Sequence, residues 1–282
     1  MSSHHSRASS RSSGSRSSRG SPPPQLPPAP ATYNDDQLEY LEKQNERNVT
    51  QPHLVYALDH VVQVLRARGI HYGVMGGMSM ILLGNQGRTT RDVDLAVEVK
   101  VRDLLAAFVA DTRTYIPRAA AVAGSGVARM FVLTGRSYGQ NVSNLAVEMD
   151  LILNGQRGAP RTLQGAVNTH AVNTECGQRS YNILGLQYLF PAKLRALYER
   201  EGPNDYQDLV WMSSFHPQIV SGIAPQLDHN LRHYFACQYS ETELDPNRVA
   251  WLYGLLGLST PSSRSSSQGS RRSGSSGSRR VR

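Results

Sequence analysis

Two carboxylates separated by a single β-branched residue, Asp92-Val93-Asp94, stand shortly after an apolar run that closes on Gly76, Gly77 and Ser79. On a strand, residues two apart leave the same face, so Asp92 and Asp94 form one acidic face while Val93 and Leu95 pack on the other. Two hard oxygen ligands so placed suit Mg²⁺, with Mn²⁺ as a substitute, because such ions take carboxylates together with triphosphate oxygens. The glycines let backbone approach a phosphate unobstructed and turn from a strand into a helix, whose first free N–H groups face the anion. Ser79 is placed to add a hydroxyl donor, and Arg88 and Arg91, between turn and acids, are placed to neutralise phosphate charge. The chemistry these residue types allow is phosphoryl transfer.

A second acidic stretch lies downstream. In Leu145-Ala146-Val147-Glu148-Met149-Asp150-Leu151-Ile152-Leu153, Glu148 and Asp150 share one face of an otherwise apolar strand. Acids so placed are costly unless they bind something, although an edge strand with a solvated face also tolerates them. Farther on, Lys193 falls in the helical stripe of Leu189, Phe190, Leu194 and Leu197. A lysine there needs an anionic partner or must snorkel to water. The expectation is that it faces a triphosphate, with Asp150 or Glu148 as its partner when no nucleotide is bound. Asp205 and Asp208 read either as part of such a site or as acids favoured in the first turn of the next helix.

The ordered set of two glycines, a serine, a short apolar helix and then Arg88-Thr89-Thr90-Arg91-Asp92-Val93-Asp94 resembles the nucleotidyltransferases of the DNA polymerase β superfamily, in particular the AbiEii-like, toxin-type branch. Lys193, followed about a dozen residues on by Asp205, resembles the second signature of that branch. The resemblance spans roughly residues 54–215. It implies a third metal-binding carboxylate on a neighbouring strand, for which Asp150 is the better match and Glu148 the reserve. It also implies a two-metal reaction in which Asp92, Asp94 and Asp150 hold Mg²⁺. Gly76, Gly77, Ser79, Arg88, Arg91, Lys193 and Asp205 would then hold the NTP, ATP among the candidates. A nucleoside monophosphate would pass to an acceptor hydroxyl on RNA or tRNA, a protein or a small molecule. The rival expectation is a non-catalytic relative that binds nucleotide or RNA. Three convergent carboxylates, which repel phosphate without metal, count against it.

Several elements must position these groups. Asp35 to Glu46 reads as a short polar helix capped by Asn34, and Pro52 to Arg68 as an amphipathic helix with Leu54, Val55, Leu58, Val61, Val62 and Leu65 inward and Gly69 ending it. Ile70 to Met75 is a strand. Val101 to Thr112 is a helix with Leu104, Leu105, Phe108 and Val109 inward, and Ala128 to Thr134 and Asn144 to Leu153 are strands. Pro191 places the start of the next helix near itself. From Gln207 to Leu258 the pattern is helical with breaks at Pro217, Pro225 and Pro246. The expected class is α+β: a nucleotidyltransferase fold, a small mixed sheet backed by helices, over residues 33–185, then a helical C-terminal module over 186–258.

The two ends differ in composition. Residues 1–32 and 259–282 are dominated by Ser, Arg, Pro and Gly and are expected to be disordered, since neither can bury enough apolar surface to offset its ordering entropy. They hold ten of the 30 basic residues and no acid, leaving 20 bases against 22 acids between them, so the formal charge of +8 belongs to the arms. Such arms are suited to salt-sensitive contact with nucleic acid. Two cysteines exclude a disulfide framework and give a reducing compartment as the default. With no apolar segment of membrane length or signal-like start, the expected location is cytoplasmic or nuclear, without a membrane partner.

Overall fold

The computed structural model describes residues 31–260. Apart from their inner edges, the two compositionally distinct ends lie outside the described residues. The N-terminal boundary needs correction: Ala31–Thr32 forms a short strand, β1, which pairs in parallel with Thr114–Ile116 (β4). Tyr33 follows it into the core, its ring edge-on to Phe131 at 5.8 Å.

Eight strands make one mixed sheet. Beyond β1 and β4 these are β2 (His71–Met75), β3 (Val93–Glu98), β5 (Val127–Thr134), β6 (Leu145–Leu153), β7 (Val167–Thr174) and β8 (Gly177–Leu184). Their order is β1-β4-β5-β6-β3-β2-β8-β7. The centre is β3, which runs antiparallel to β2 and parallel to β6. Its pleat sorts the side chains: Val93, Leu95 and Val97 are fully buried, as are Val147, Met149 and Leu151 of β6. On the large core face these meet Leu54, Leu58, Val61 and Leu65 of helix α2 (Gln51–Ala67). The opposite face carries the acids. Part of it is covered by α1 (Asp35–Asn48), where Leu41, Tyr33, Tyr115, Phe131 and Ala146 form a second, smaller core. Asn34 caps α1 as its sequence predicts, its side chain accepting from the Gln37 amide while the Gln37 side chain accepts from the Asn34 amide.

The short helix α3 (Gly76–Leu82) follows β2 directly, and α4 (Val101–Phe108) follows β3. The latter stops four residues short of the expected Thr112. Asp111 accepts from the Arg113 amide at 3.0 Å and from Thr114 Oγ1, setting up β4 instead, and Val109 is 62% exposed rather than inward. The hairpin β7–β8 and α5 (Ala119–Ser125) have polar or small-residue sequences with no clear period, and β4 is only 3 residues long, which hid them.

The C-terminal region is helical: α6 (Leu186–Arg200), α7 (Pro203–Phe215), α8 (Pro217–Ile223), α9 (His229–Thr242) and α10 (Pro246–Leu255). Pro203, Pro217 and Pro246 each open a helix, where a missing N–H costs nothing. Pro191 behaves differently, lying inside α6, which starts at Leu186. Burial of Leu186, Leu189 and Phe190 outweighs the one backbone bond lost.

Removing residues 1–30 and 261–282 is expected to leave the melting temperature unchanged within error. Extending the N-terminal deletion through Tyr33 should lower it, because β1 and the Tyr33–Phe131 contact go with it. Calorimetric melts of the two truncations check this.

Candidate active site

The ladder sets the acids in register. Asp94 pairs with Asp150 across β3 and β6, Met75 pairs with Asp94 on the β2 side, and Arg129 of β5 pairs with Asp150. Residues paired across strands share a face, so Met75, Asp94, Asp150 and Arg129 form one row. Asp92 precedes β3, and continuing the register from Val93 and Met149 sets it beside Glu148. Thr90 Oγ1 donates to Asp92 Oδ1 at 2.8 Å and fixes it there. Four carboxylates thus lie in two adjacent rows, Asp92 with Glu148 and Asp94 with Asp150.

Their charge is only partly compensated. Arg129 is the hub: Nε lies 3.0 Å from Glu148 and 3.1 Å from Asp150, and Nη1 donates to Glu42 of α1 at 2.6 Å. Asp94 makes no hydrogen bond or direct ion pair with any described residue. Burial, then the charges of Asp92 and Asp150, push its carboxyl up to about 8, despite the opposing fields of Lys193 and Arg200. Burial likewise lifts Glu148 to about 7, with Asp150 and Asp92 adding to the effect and Arg129 opposing it. Among the described residues no three His, Cys, Asp or Glu side chains are gathered closely enough to hold a metal ion by themselves. Asp150 is drawn onto Arg129 instead.

The glycine turn is built against this row. Gly76 has φ +63°, and a Cβ there would stand 1.7 Å from Asp94 Oδ2, so only glycine fits. A Cβ on Gly77 would meet Thr90 Oγ1 at 2.6 Å and Arg88 Nη2 at 2.8 Å. The Arg88 guanidinium therefore lies over Gly77. Ser79 departs from expectation: it is fully buried and its hydroxyl donates to the Gly76 carbonyl at 2.8 Å. That proton holds the turn and is not offered to a phosphate. Arg91 is exposed.

Lys193 also departs from expectation. It is buried, but its partners are Asp205 at 3.0 Å and Asp208 at 2.7 Å, not Asp150 or Glu148. Asp208, fully buried, also receives Arg88 Nε at 3.1 Å, and Asp205 receives Arg200 at 2.8 Å. Leu189, Phe190, Leu194 and Leu197 turn that side of α6 inward as expected. What faces it there is α7, which brings Asp205 in its first turn and Asp208 in its second. The chain Arg88–Asp208–Lys193–Asp205–Arg200 ties the turn to the helical module. Arg88 Nη1 is buried and has no hydrogen-bond partner.

Sequence reasoning missed two groups. Arg129 was the sole charge in an apolar strand, a signal that it must face an acid. Asn45 of α1, 1% exposed, donates to the Arg91 carbonyl at 2.6 Å and accepts from the Glu148 amide at 3.1 Å. It clamps the segment leading to Asp92 against the strand carrying Glu148, which gives the polar helix α1 a role.

A sequence model of the aminoglycoside-2''-adenylyltransferase family matches residues 57–120, a span holding Gly76, Gly77, Asp92 and Asp94 but neither Asp150 nor Lys193. No curated protein matches the chain. Among solved structures, an antigenic nucleotidyltransferase-like protein from Paracoccidioides brasiliensis is 16% identical, over 74% of this chain and 94% of that one, with a TM-score of 0.45. JHP933 from Helicobacter pylori is 14% identical, over 74% and 81%, with a TM-score of 0.42. The antibiotic-resistance factor ANT(2'')-Ia is 14% identical, over 68% and 96%, with a TM-score of 0.40. Likeness to structures at this level says nothing about activity. The family match supports the nucleotidyltransferase superfamily and does not reach the AbiEii-like branch.

Two outcomes follow from the charges. A carboxyl whose folded pKa is raised destabilises the fold increasingly as pH climbs from about 4 toward 8, so Asp94→Asn should melt higher than wild type at pH 8. The gain should vanish below about pH 4, where both states are protonated. A pH series of melts in EDTA checks it. Conversely, Lys193→Met should cost about 3–5 kcal/mol, because it strands buried carboxylates. Adding Asp205→Asn should recover part of that loss, and a double-mutant cycle in denaturant measures the coupling.

Proposed function

We propose that the protein transfers a nucleoside monophosphate from an NTP to an acceptor hydroxyl with release of pyrophosphate. The observation that carries this reading is the row in which Asp94, uncompensated and pressed against Gly76, stands beside Asp150. Such a row repels a triphosphate unless cations are present, and the residues fit a divalent ion: hard oxygens and a site whose main electrostatic fault is excess negative charge. Asp92, Asp94 and Asp150 would hold Mg²⁺, with Asp150 shared between it and Arg129. Mg²⁺ would supply charge neutralisation on the transferring phosphoryl group and on the leaving pyrophosphate.

The chain's own residues do the rest. Gly76 and Gly77 admit the phosphates close to backbone. Arg88, whose Nη2 lies over Gly77, would donate to the β- or γ-phosphate, and Lys193 would add positive field from behind Asp208. The acceptor oxygen forms its bond to the α-phosphorus as the bond to the bridging oxygen breaks, and that electron pair leaves with pyrophosphate. The hydroxyl proton passes to Asp150 or to Glu148, whose pKa near 7 suits a base at neutral pH. Arg129 positions both. The acceptor is RNA, a protein or a small molecule. The last is the class named by the matching family, whose description is of an adenylyltransferase.

The test incubates the full chain with each α-labelled NTP, Mg²⁺, and total RNA, protein extract or small hydroxyl compounds. Label should enter one acceptor class, and Asp92→Asn with Asp94→Asn should abolish it while the protein stays folded. Calorimetry should find NTP binding only with divalent metal. Equally tight binding in excess EDTA, or metal-dependent binding without transfer to any acceptor, overturns the proposal.

A further inference from the structure

Arg129 holds Asp150 by both oxygens. Its Nε donates to Oδ1 at 3.1 Å and its Nη2 to Oδ2 at 3.3 Å, while Nε also lies 3.0 Å from Glu148. This is the two-pronged, charge-assisted grip that a planar guanidinium makes on a carboxylate. Asp150 pairs with Asp94 across the strands and its side chain is 15% exposed, so little water competes for it. A divalent ion on Asp150 would meet the guanidinium across a single carboxylate, and two cations that close repel. Arg129 must then lean on some other anion.

Glu42 is placed to be that anion. Nη1 donates to Glu42 Oε1 at 2.6 Å, a shorter bond than either one to Asp150. Glu42 stands on α1 and not on the sheet, so it is no member of the acidic rows. Its helix is pinned on both sides of it. Leu41 is 1% exposed in the smaller core, Asn45 accepts from the Glu148 amide at 3.1 Å, and Tyr33 Oη donates to the Arg129 carbonyl at 2.7 Å. Glu42 is thus fixed against the same strands that carry Arg129 and Glu148. An ion pair made only for stability would not call for it, because Arg129 already faces two acids and a third adds repulsion to an acidic site. What a third acid adds is a second seat for the guanidinium.

We propose that Glu42 is a positioning residue for the metal site: it takes up the Arg129 guanidinium when Asp150 turns to a divalent ion, and so sets how readily Asp150 becomes available. With Glu42 in place, Arg129 gives up part of its grip on Asp150 and keeps a full-strength partner. Without it, Arg129 has only Glu148 and Asp150, and the ion must compete for Asp150 directly. This role rests on the reading that Asp94 and Asp150 hold a divalent ion, and it needs no transfer activity.

The experiment titrates the full chain with Mn²⁺, without nucleotide, and reads the free ion by its electron paramagnetic resonance signal. Asp94→Asn should lose the binding, which assigns it to this row. Glu42→Gln should raise the Kd for Mn²⁺ by roughly 3- to 10-fold. Glu39→Gln removes an equal charge one turn earlier on α1, from a side chain paired with Lys43 instead of Arg129, and should leave the Kd within about twofold. Arg129→Gln should lower the Kd, and on that background Glu42→Gln should have no further effect. The proposal is overturned if Glu42→Gln binds Mn²⁺ like wild type, if Glu39→Gln weakens binding as much, or if the loss is the same with and without Arg129, since Glu42 then acts as a distant charge or not at all. When wild type binds Mn²⁺ through Asp94 and Glu42→Gln is inert, only the role of Glu42 falls; when Asp94→Asn leaves binding unaltered, or wild type binds none, the metal site falls with it. The Glu42 and Glu39 variants keep Arg129, so their comparison decides the matter even if Arg129→Gln fails to fold.

Discussion

Like charges on one face of a sheet dominate this molecule. Asp92, Asp94, Glu148 and Asp150 occupy two adjacent rows, and among the described residues Arg129 is the cation paired directly with them. At an effective dielectric of about 20, two carboxylates 4 Å apart repel by about 4 kcal/mol, a large fraction of a domain's net stability. A fold does not keep such an arrangement for packing, since apolar residues there would be more stable. The carboxyls of Asp94 and Glu148 register the cost directly, both held well above the usual carboxylate range by burial first and by their neighbours second. Glycine at 76, Asn45 under the approach to Asp92, and Thr90 on Asp92 itself all hold the acids in place against this repulsion.

Much of this was legible because it follows local rules. The period-2 alternation of β3 and β6 fixes which side chains share a face, and the apolar stripe of α2 fixes what covers the other face. What could not be read was pairing between distant segments. Nothing local says that β6 lies beside β3 with Asp150 opposite Asp94, or that α7 returns against α6 to set Asp205 and Asp208 on Lys193. Lys193 shows the difference: its burial was readable from the stripe, its partners were not, because they come from the next helix. Ser79 shows another limit. A serine after two glycines has the composition of a phosphate donor, yet its hydroxyl turns back to the Gly76 carbonyl. The hairpin β7–β8, rich in Asn and Thr and half exposed, left no hydrophobic period to find.

The cations fall into two separate systems. Arg129 belongs to the sheet and serves the acids from the β5 side, tethered through Glu42 to α1. Lys193, Arg88 and Arg200 belong to the helical side, where they are paired with Asp205 and Asp208; Lys193 and Arg200 reach Asp94 only as a field, which opposes the rise in its pKa without contact. This division leaves the space above Gly76 and Gly77 bounded by negative charge on one side and, on the other, by a network of three cations and two acids with one positive charge in excess. A triphosphate with its metal supplies the complementary pattern, with cation against the acids and phosphate oxygens toward Arg88.

Arg88 couples the two halves. Its Nε is fixed by Asp208, its Nη2 lies over Gly77, and its Nη1 is left over. A planar guanidinium cannot turn one edge without turning the others, because its donors form a rigid fork. The bond from Nε to Asp208 therefore also sets where Nη2 stands over Gly77. Any shift of the Asp208 end of this group therefore moves the donor that lies over the glycine turn.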